Sequence, residues 1–145
     1  MKYRRLNSQH AAGARAIKVF VCTNPACEMH HSPAAPVQCH CGSIEFITFP
    51  SKGEARHWAQ LRMLEKRGII TNLRRQVWFP LYAHTDAGPV KVASYVADFT
   101  YDRDGVNYTC DSKPAAGVDD LAALKLKWME AMGRPVTLLT KGIYS

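Results

Sequence analysis

The dipeptide Asp104–Gly105 lies inside ADFTYDRDGVNYTCDSKP, Ala97 to Pro114, and it sets the pairing of the residues on either side. Asp-Gly favours the two-residue type I′ turn, whose twist matches the strands it joins. With those residues as the loop, Arg103 pairs with Val106, Tyr101 with Tyr108, Thr100 with Thr109 and Phe99 with Cys110. Asp98 then falls opposite Asp111, and Lys113 shares the face of Asp111, because side chains alternate along a strand. This register separates an apolar set (Ala97, Phe99, Tyr101, Tyr108, Cys110) from a polar one (Asp98, Thr100, Thr109, Asp111, Lys113). A slip of one residue would mix them.

Aspartates are depleted in strands, and two placed directly opposite repel. A hard divalent cation, Mg²⁺ or Mn²⁺, held by oxygens from both strands would offset the repulsion. The simpler alternative is a solvated pair screened by Lys113.

The surroundings of the hairpin predict a sheet with two helices. SKGEARHWAQLRMLEKRG reads as a helix: Ser51 and Glu54 have capping-box spacing, Trp58, Leu61 and Leu64 recur on one side, and Gly68 ends it. A strand is expected around Arg75 to Tyr82, a turn at DAGP (86–89), then VKVASYVADFTY and VNYTCDSK as two further strands. DDLAALKLKWMEAMG reads as a second helix with Asp119 as N-cap, Leu121, Leu124 and Trp128 as its apolar side and Gly133 as its stop. RPVTLLT supplies a last strand. The order from Ser51 is αβββαβ, which fits an α+β mixed sheet: a hairpin-rich part, then a helix crossover into a parallel strand. Trp58, Trp128 and Cys110 read as packed residues, His57 as a surface histidine, and Lys125 and Lys127 as a solvated helix face or a phosphate contact.

Ahead of this core, residues 1–21 carry Lys2, Arg4, Arg5, Arg15 and Lys18 with no acid among them. Four of the five cysteines follow, Cys22, Cys27, Cys39 and Cys41, in a proline-rich loop between the short strands AIKVFVC and IEFITF. Residues 1–48 thus form a basic segment with a ribbon-like module, and residues 49–145 the core. A ribbon this small needs a metal to fold. Its spacing, C-x₄-C and C-x-C, departs from the C-x₂-C pairs of an ideal ribbon. Structural Zn²⁺ on the four thiolates is the leading reading. A mixed site that uses His30, His31 or His40 in place of one cysteine, and four free thiols, are the alternatives.

The 145 residues are 47% hydrophobic, as in folded globular chains, and the net charge of +7 favours a polyanionic partner, most commonly nucleic acid. No apolar run spans a bilayer, and the basic start MKYRRLNSQH has no apolar stretch behind it, so neither a membrane partner nor a signal peptide is expected. Clustered cysteines then fit a cytoplasmic, reducing compartment in which they hold metal.

An acid, twelve residues, then D-S-K on a hairpin, with a glutamate on a preceding helix, resembles the PD-(D/E)XK nuclease superfamily. More narrowly, F-P-S-K-G-E-A, then Y-V-A-D-F-T-Y, then D-S-K is similar to a bacteriophage family of small nucleases within it. Its members show F-x-S-K-x-E-A, Y-x-A-D-F and a final acid-x-K. The initial K-Y-R is also similar. The likeness runs from Phe49 to Thr140; Pro114 stands where members often have glycine, and the cysteine cluster reads as an insertion.

The resemblance implies a restriction-endonuclease-like fold and metal-dependent hydrolysis of DNA phosphodiesters. Asp98 and Asp111 match the metal-binding acids, Glu54 the helix glutamate that completes the metal site, and Lys113 the lysine that orients water and stabilises developing charge. Gln76 is a weaker match to a polar residue near such sites. By analogy the substrate is branched or recombining DNA, with Holliday-junction resolution by a homodimer in the host cytoplasm as one form of it. The alternative is a non-catalytic zinc-ribbon protein that binds DNA or regulates; an RNA-directed or restriction-like enzyme is a third.

Overall fold

A computed structural model describes residues 16–112 and 117–139. The chain divides into two compact units, Met1–Lys52 and Gly53–Ser145.

The first unit holds a three-stranded antiparallel sheet in the order β2-β1-β3: β1 Val19–Cys22, β2 His30–His31 and β3 Phe46–Phe49. Val19, Val21 and Phe49 are its buried apolar residues. The cysteine loop, read from sequence as irregular, contributes β2. The Cys22 N–H donates to the Met29 carbonyl at 2.9 Å, which draws the loop back along β1 and pairs Phe20 with His31.

The second unit is an α+β fold: α1 Lys52–Lys66, β4 Thr71–Thr85, β5 Gly88–Arg103, β6 Val106–Ser112, α2 Asp120–Ala131 and β7 Val136–Leu139. Its mixed sheet runs β4-β5-β6-β7, antiparallel except that β7 lies parallel to β6. A parallel neighbour cannot be reached by a tight turn, and α2 fills the connection. The Asp119 carboxylate accepts the Ala122 N–H at 2.7 Å and caps α2. Gly68, with φ of 73°, takes the left-handed position after α1, where its N–H donates to the Glu65 carbonyl.

The expected pairs from Arg103–Val106 out to Phe99–Cys110 are present, and the ladder ends there, one step short of the expected Asp98–Asp111 pair. Both turn residues have positive φ, 50° and 77°, as a type I′ turn requires. The polar side of the hairpin is not a solvated face, however: Thr100 and Thr109 are buried.

Leu81, Tyr95, Ala97 and Met129 form a core cluster, with Phe79, Leu126 and Trp128 packed against it. Ala97 belongs to that cluster, whereas Phe99, two residues on, stacks on Trp58 of α1 with ring centroids 6.2 Å apart. Between them the ladder passes from Arg75–Phe99 to Val77–Ala97 without pairing Gln76 and Asp98, and Gln76 is left-handed with φ of 53°. The interruption falls at Asp98.

Helix α2 turns a different side to the sheet than its leucines suggest. Leu121 and Leu124 are 63% and 55% exposed, while Met129 is fully buried and Leu126 packs beside it. The helix is apolar on more than one side, so periodicity permits two stripes. The sheet takes the one carrying the long, adaptable Met129. Among the described residues no helix is long and apolar enough to cross a membrane.

Candidate active site and metal centre

Two donor sets form, one in each unit. In the second unit, β5 and β6 pair regularly up to Phe99–Cys110, and one step further the carboxylates take over from the backbone ladder. The Asp98 N–H donates to Asp111 Oδ1 at 2.6 Å, and the Ser112 N–H donates to Asp98 Oδ2 at 2.9 Å. Each aspartate thus accepts a main-chain proton from the opposite strand. These charge-assisted bonds offset part of the repulsion between the two carboxylates without any cation. The other oxygen of Asp111 accepts from the Tyr95 hydroxyl.

Glu54, in the first turn of α1, joins the pair. It is only 4% exposed, and its Oε1 accepts from Gln76 Nε2 at 3.2 Å. Gln76 also hydrogen-bonds Asp98, so one amide ties the helix carboxylate to the strand carboxylate. Gln76 has a left-handed backbone, φ 53°, at the step where β4 and β5 skip a pair.

Burial and mutual repulsion make the set reluctant to ionise fully. Burial, then the nearby Asp98 and Asp111 charges, hold Glu54 up at about 7, against the pull of Arg75. Burial raises Asp111 to about 6, opposed by the Asp98 N–H. Asp98 is raised by burial too, opposed by the Ser112 N–H, Gln76 and Arg75. Carboxylate oxygens that repel one another suit a hard cation. A cavity of about 270 Å³ adjoins the two aspartates, lined among others by Tyr95, Asp98, Asp111, Ser112 and Leu126.

His57 is not the surface histidine its sequence context suggests. It is buried, and its Nδ1 lies 2.6 Å from Ser112 Oγ, so one face of α1 presents both Glu54 and His57 to this end of the sheet. Burial, then the Arg56 charge, depress its basicity. The i, i+3 spacing of Glu54 and His57 was the available signal. Tyr95 stands in the Y-V-A-D-F motif, yet nothing in that string points to a bond with Asp111 across the sheet. Lys125 is not a free surface cation either: its Nζ donates to the Ser94 carbonyl at 2.9 Å. Lys113 lies outside the described residues, as do Lys2, Arg4, Arg5 and Arg15.

In the first unit, Cys22 and Cys41 bring their sulfurs to 3.5 Å, and Cys27 and Cys39 to 3.7 Å. The four Sγ atoms all lie within 4.8 Å of one another. A tetrahedron of metal–sulfur bonds near 2.3 Å has edges of about 3.8 Å, so the thiols already approximate that shape. The left-handed Gly42 follows Cys41, and the Gly42 N–H donates to the Cys39 carbonyl, closing the tight C-x-C turn. His31 Nε2 lies 3.4 Å from Cys39 Sγ, which places this histidine beside the thiols as a partner to one of them. The Ser43 N–H and neighbouring groups draw Cys41 down to about 6. The Met29 backbone pulls Cys27 down, yet burial and the three other thiols leave it up at about 12. Four thiols this close cannot all ionise without a cation among them.

The cluster can therefore hold a metal ion. Among the described residues it is the one set of three or more His, Cys, Asp or Glu donors gathered so tightly. Glu54, Asp98 and Asp111 stand wider, each turned to a protein donor. No family model, curated protein or solved structure matches the chain.

Proposed function

We propose that the second unit is a metal-dependent nuclease that hydrolyses DNA phosphodiesters. The meeting of Glu54 and Asp98 at Gln76, with Asp111 held beside them by the Asp98 N–H, carries this reading, supported by the order of the F-x-S-K-x-E-A, Y-x-A-D-F and D-S-K motifs. Those three carboxylates would hold Mg²⁺ or Mn²⁺. When bound, the ion supplies a Lewis acid for the phosphate and a water acidified to act near neutral pH. The chain's own groups set the stage. Gln76 keeps the Glu54 and Asp98 carboxylates together, the Asp98 N–H fixes Asp111, and His57 anchors Ser112 beside the pair. Lys113, by resemblance, adds positive charge where the phosphate gains negative charge. The positive net charge of the chain favours DNA as the polyanion. Branched DNA cleaved by a homodimer in a cytoplasmic setting is the substrate reading that the resemblance favours.

In the first unit the four cysteines would hold Zn²⁺. Four thiolates leave no open position, so the role is structural.

A second reading follows from that cluster, the better-formed of the two donor sets. In it the chain is a zinc-ribbon module that binds DNA or regulates and does not cleave. It asks for one structural metal, whereas the nuclease reading also asks the carboxylates to close on a cation. Labelled four-way junction, flap, duplex and single strand, incubated with Mg²⁺ or with EDTA, separate the two. Mg²⁺-dependent products on any substrate support the nuclease. Binding with no products on every substrate supports the ribbon module.

A further inference from the structure

Tyr95 has two surroundings. Its ring belongs to the Leu81–Ala97–Met129 cluster and the residue is 7% exposed. Its hydroxyl leaves that cluster and donates to Asp111 Oδ2. The opposite oxygen, Oδ1, is held by the Asp98 N–H at 2.6 Å. One donor is main chain of β5 and the other is a side chain packed in the core, so both oxygens of Asp111 are held from the protein side. Each carboxylate oxygen has a second lone pair, so neither bond uses up the group's capacity to accept.

Packing alone does not call for a phenol. Phenylalanine would fill the same space against Leu81 and Met129, and the hydroxyl adds nothing to the apolar contacts. It adds a hydrogen bond to the acid that lines the 270 Å³ cavity together with Tyr95 itself and Asp98. Outer partners of this kind orient the groups that hold a metal.

We propose that Tyr95 is a positioning residue for Asp111: its hydroxyl, fixed by the core beneath α2, sets the orientation in which that carboxylate meets a divalent cation. The proposal rests on the nuclease reading of the carboxylates and assigns a residue which that reading does not use.

The test is Mn²⁺ binding to the full-length protein with zinc on its thiols, followed by the spin-resonance signal of free Mn²⁺. Tyr95→Phe removes one oxygen and keeps the ring. Met129→Leu disturbs the same cluster and keeps the hydroxyl. Asp111→Asn reports whether the bound Mn²⁺ is at this site. The expected result is Mn²⁺ binding that Asp111→Asn abolishes, that Tyr95→Phe weakens about tenfold and that Met129→Leu leaves at the wild-type level. In cleavage at saturating Mg²⁺, Tyr95→Phe lowers kcat and leaves the KM for DNA unchanged. A Tyr95→Phe titration that coincides with wild type, or is tighter, overturns the positioning role and leaves the carboxylate site standing. Wild-type protein with no Asp111-dependent Mn²⁺ binding overturns the site itself, and the role of Tyr95 with it.

Discussion

Asp98 and Asp111 are joined crosswise: the Asp98 N–H donates to the Asp111 carboxylate at 2.6 Å, and the Asp98 carboxylate accepts from Ser112, the residue after Asp111, at 2.9 Å. Two strands that would otherwise exchange main-chain bonds are held instead by their acids. The arrangement keeps the hairpin closed and keeps two like charges together, a combination that costs stability and so invites a functional explanation.

Charge and hydrogen bonding can be separated at Asp111. Asparagine keeps an oxygen for the Asp98 N–H and drops the charge; alanine drops both. Metal-free Asp111→Asn should melt at or above the wild-type temperature. Asp111→Ala should lose on the order of 1–3 kcal/mol, because it strands that N–H. Thermal melts in EDTA measure both.

The raised carboxylates make a prediction about pH. Glu54 is held near 7 against an ordinary 4.5, and Asp111 near 6 against 3.8. In that window the folded chain binds more protons than the unfolded one. The slope of unfolding free energy with pH is therefore negative. Metal-free protein should lose stability as pH rises from about 4 to 7, and added Mg²⁺ should restore it most strongly at the upper end. A melting temperature in EDTA that climbs across that range because of these groups contradicts the assignment; Glu54→Gln, which removes one of them, should flatten the fall.

Much of the second unit is legible in its sequence because local chemistry and global fold agree there. Asp104–Gly105 accepts only one register, and the alternation around it admits no slip. The αβββαβ order likewise follows from caps and turns. What escapes is whatever depends on a neighbour distant in sequence. The left-handed backbone of Gln76 leaves no mark on residue type, since glutamine is not a residue that prefers it. His57 is polar by composition and buried by its bond to Ser112, fifty-five residues away. The cysteine spacing shows that the thiols belong together. It does not show that His31 comes to rest against Cys39.

The side that α2 presents to the sheet is checked by a pair of substitutions. Met129→Ala empties a fully buried site and should cost about 2–5 kcal/mol. Leu124→Glu alters an exposed position and should stay within about 0.5 kcal/mol of wild type. Denaturant unfolding that reverses the ranking would place the Leu121–Leu124 side against the core.

The thiol centre should contain stoichiometric zinc in protein purified without chelator, by elemental analysis. Stripping it with a strong chelator should speed amide exchange in Val19–Cys22 and leave the exchange of Ala97–Tyr101 unchanged. Ribbons of this size depend on metal for their fold, whereas the second unit has a buried cluster of its own. Equal protection of Val19–Cys22 with and without metal goes against a structural role.

Cleavage of a labelled four-way junction in Mg²⁺ by wild-type, Glu54→Gln and Asp111→Asn proteins decides whether Glu54, Asp98 and Asp111 form one cation-dependent hydrolytic site. The prediction is product with wild type that EDTA prevents, and a loss of at least two orders of magnitude in rate in each variant. Cleavage that persists in Asp111→Asn at the wild-type rate would contradict it.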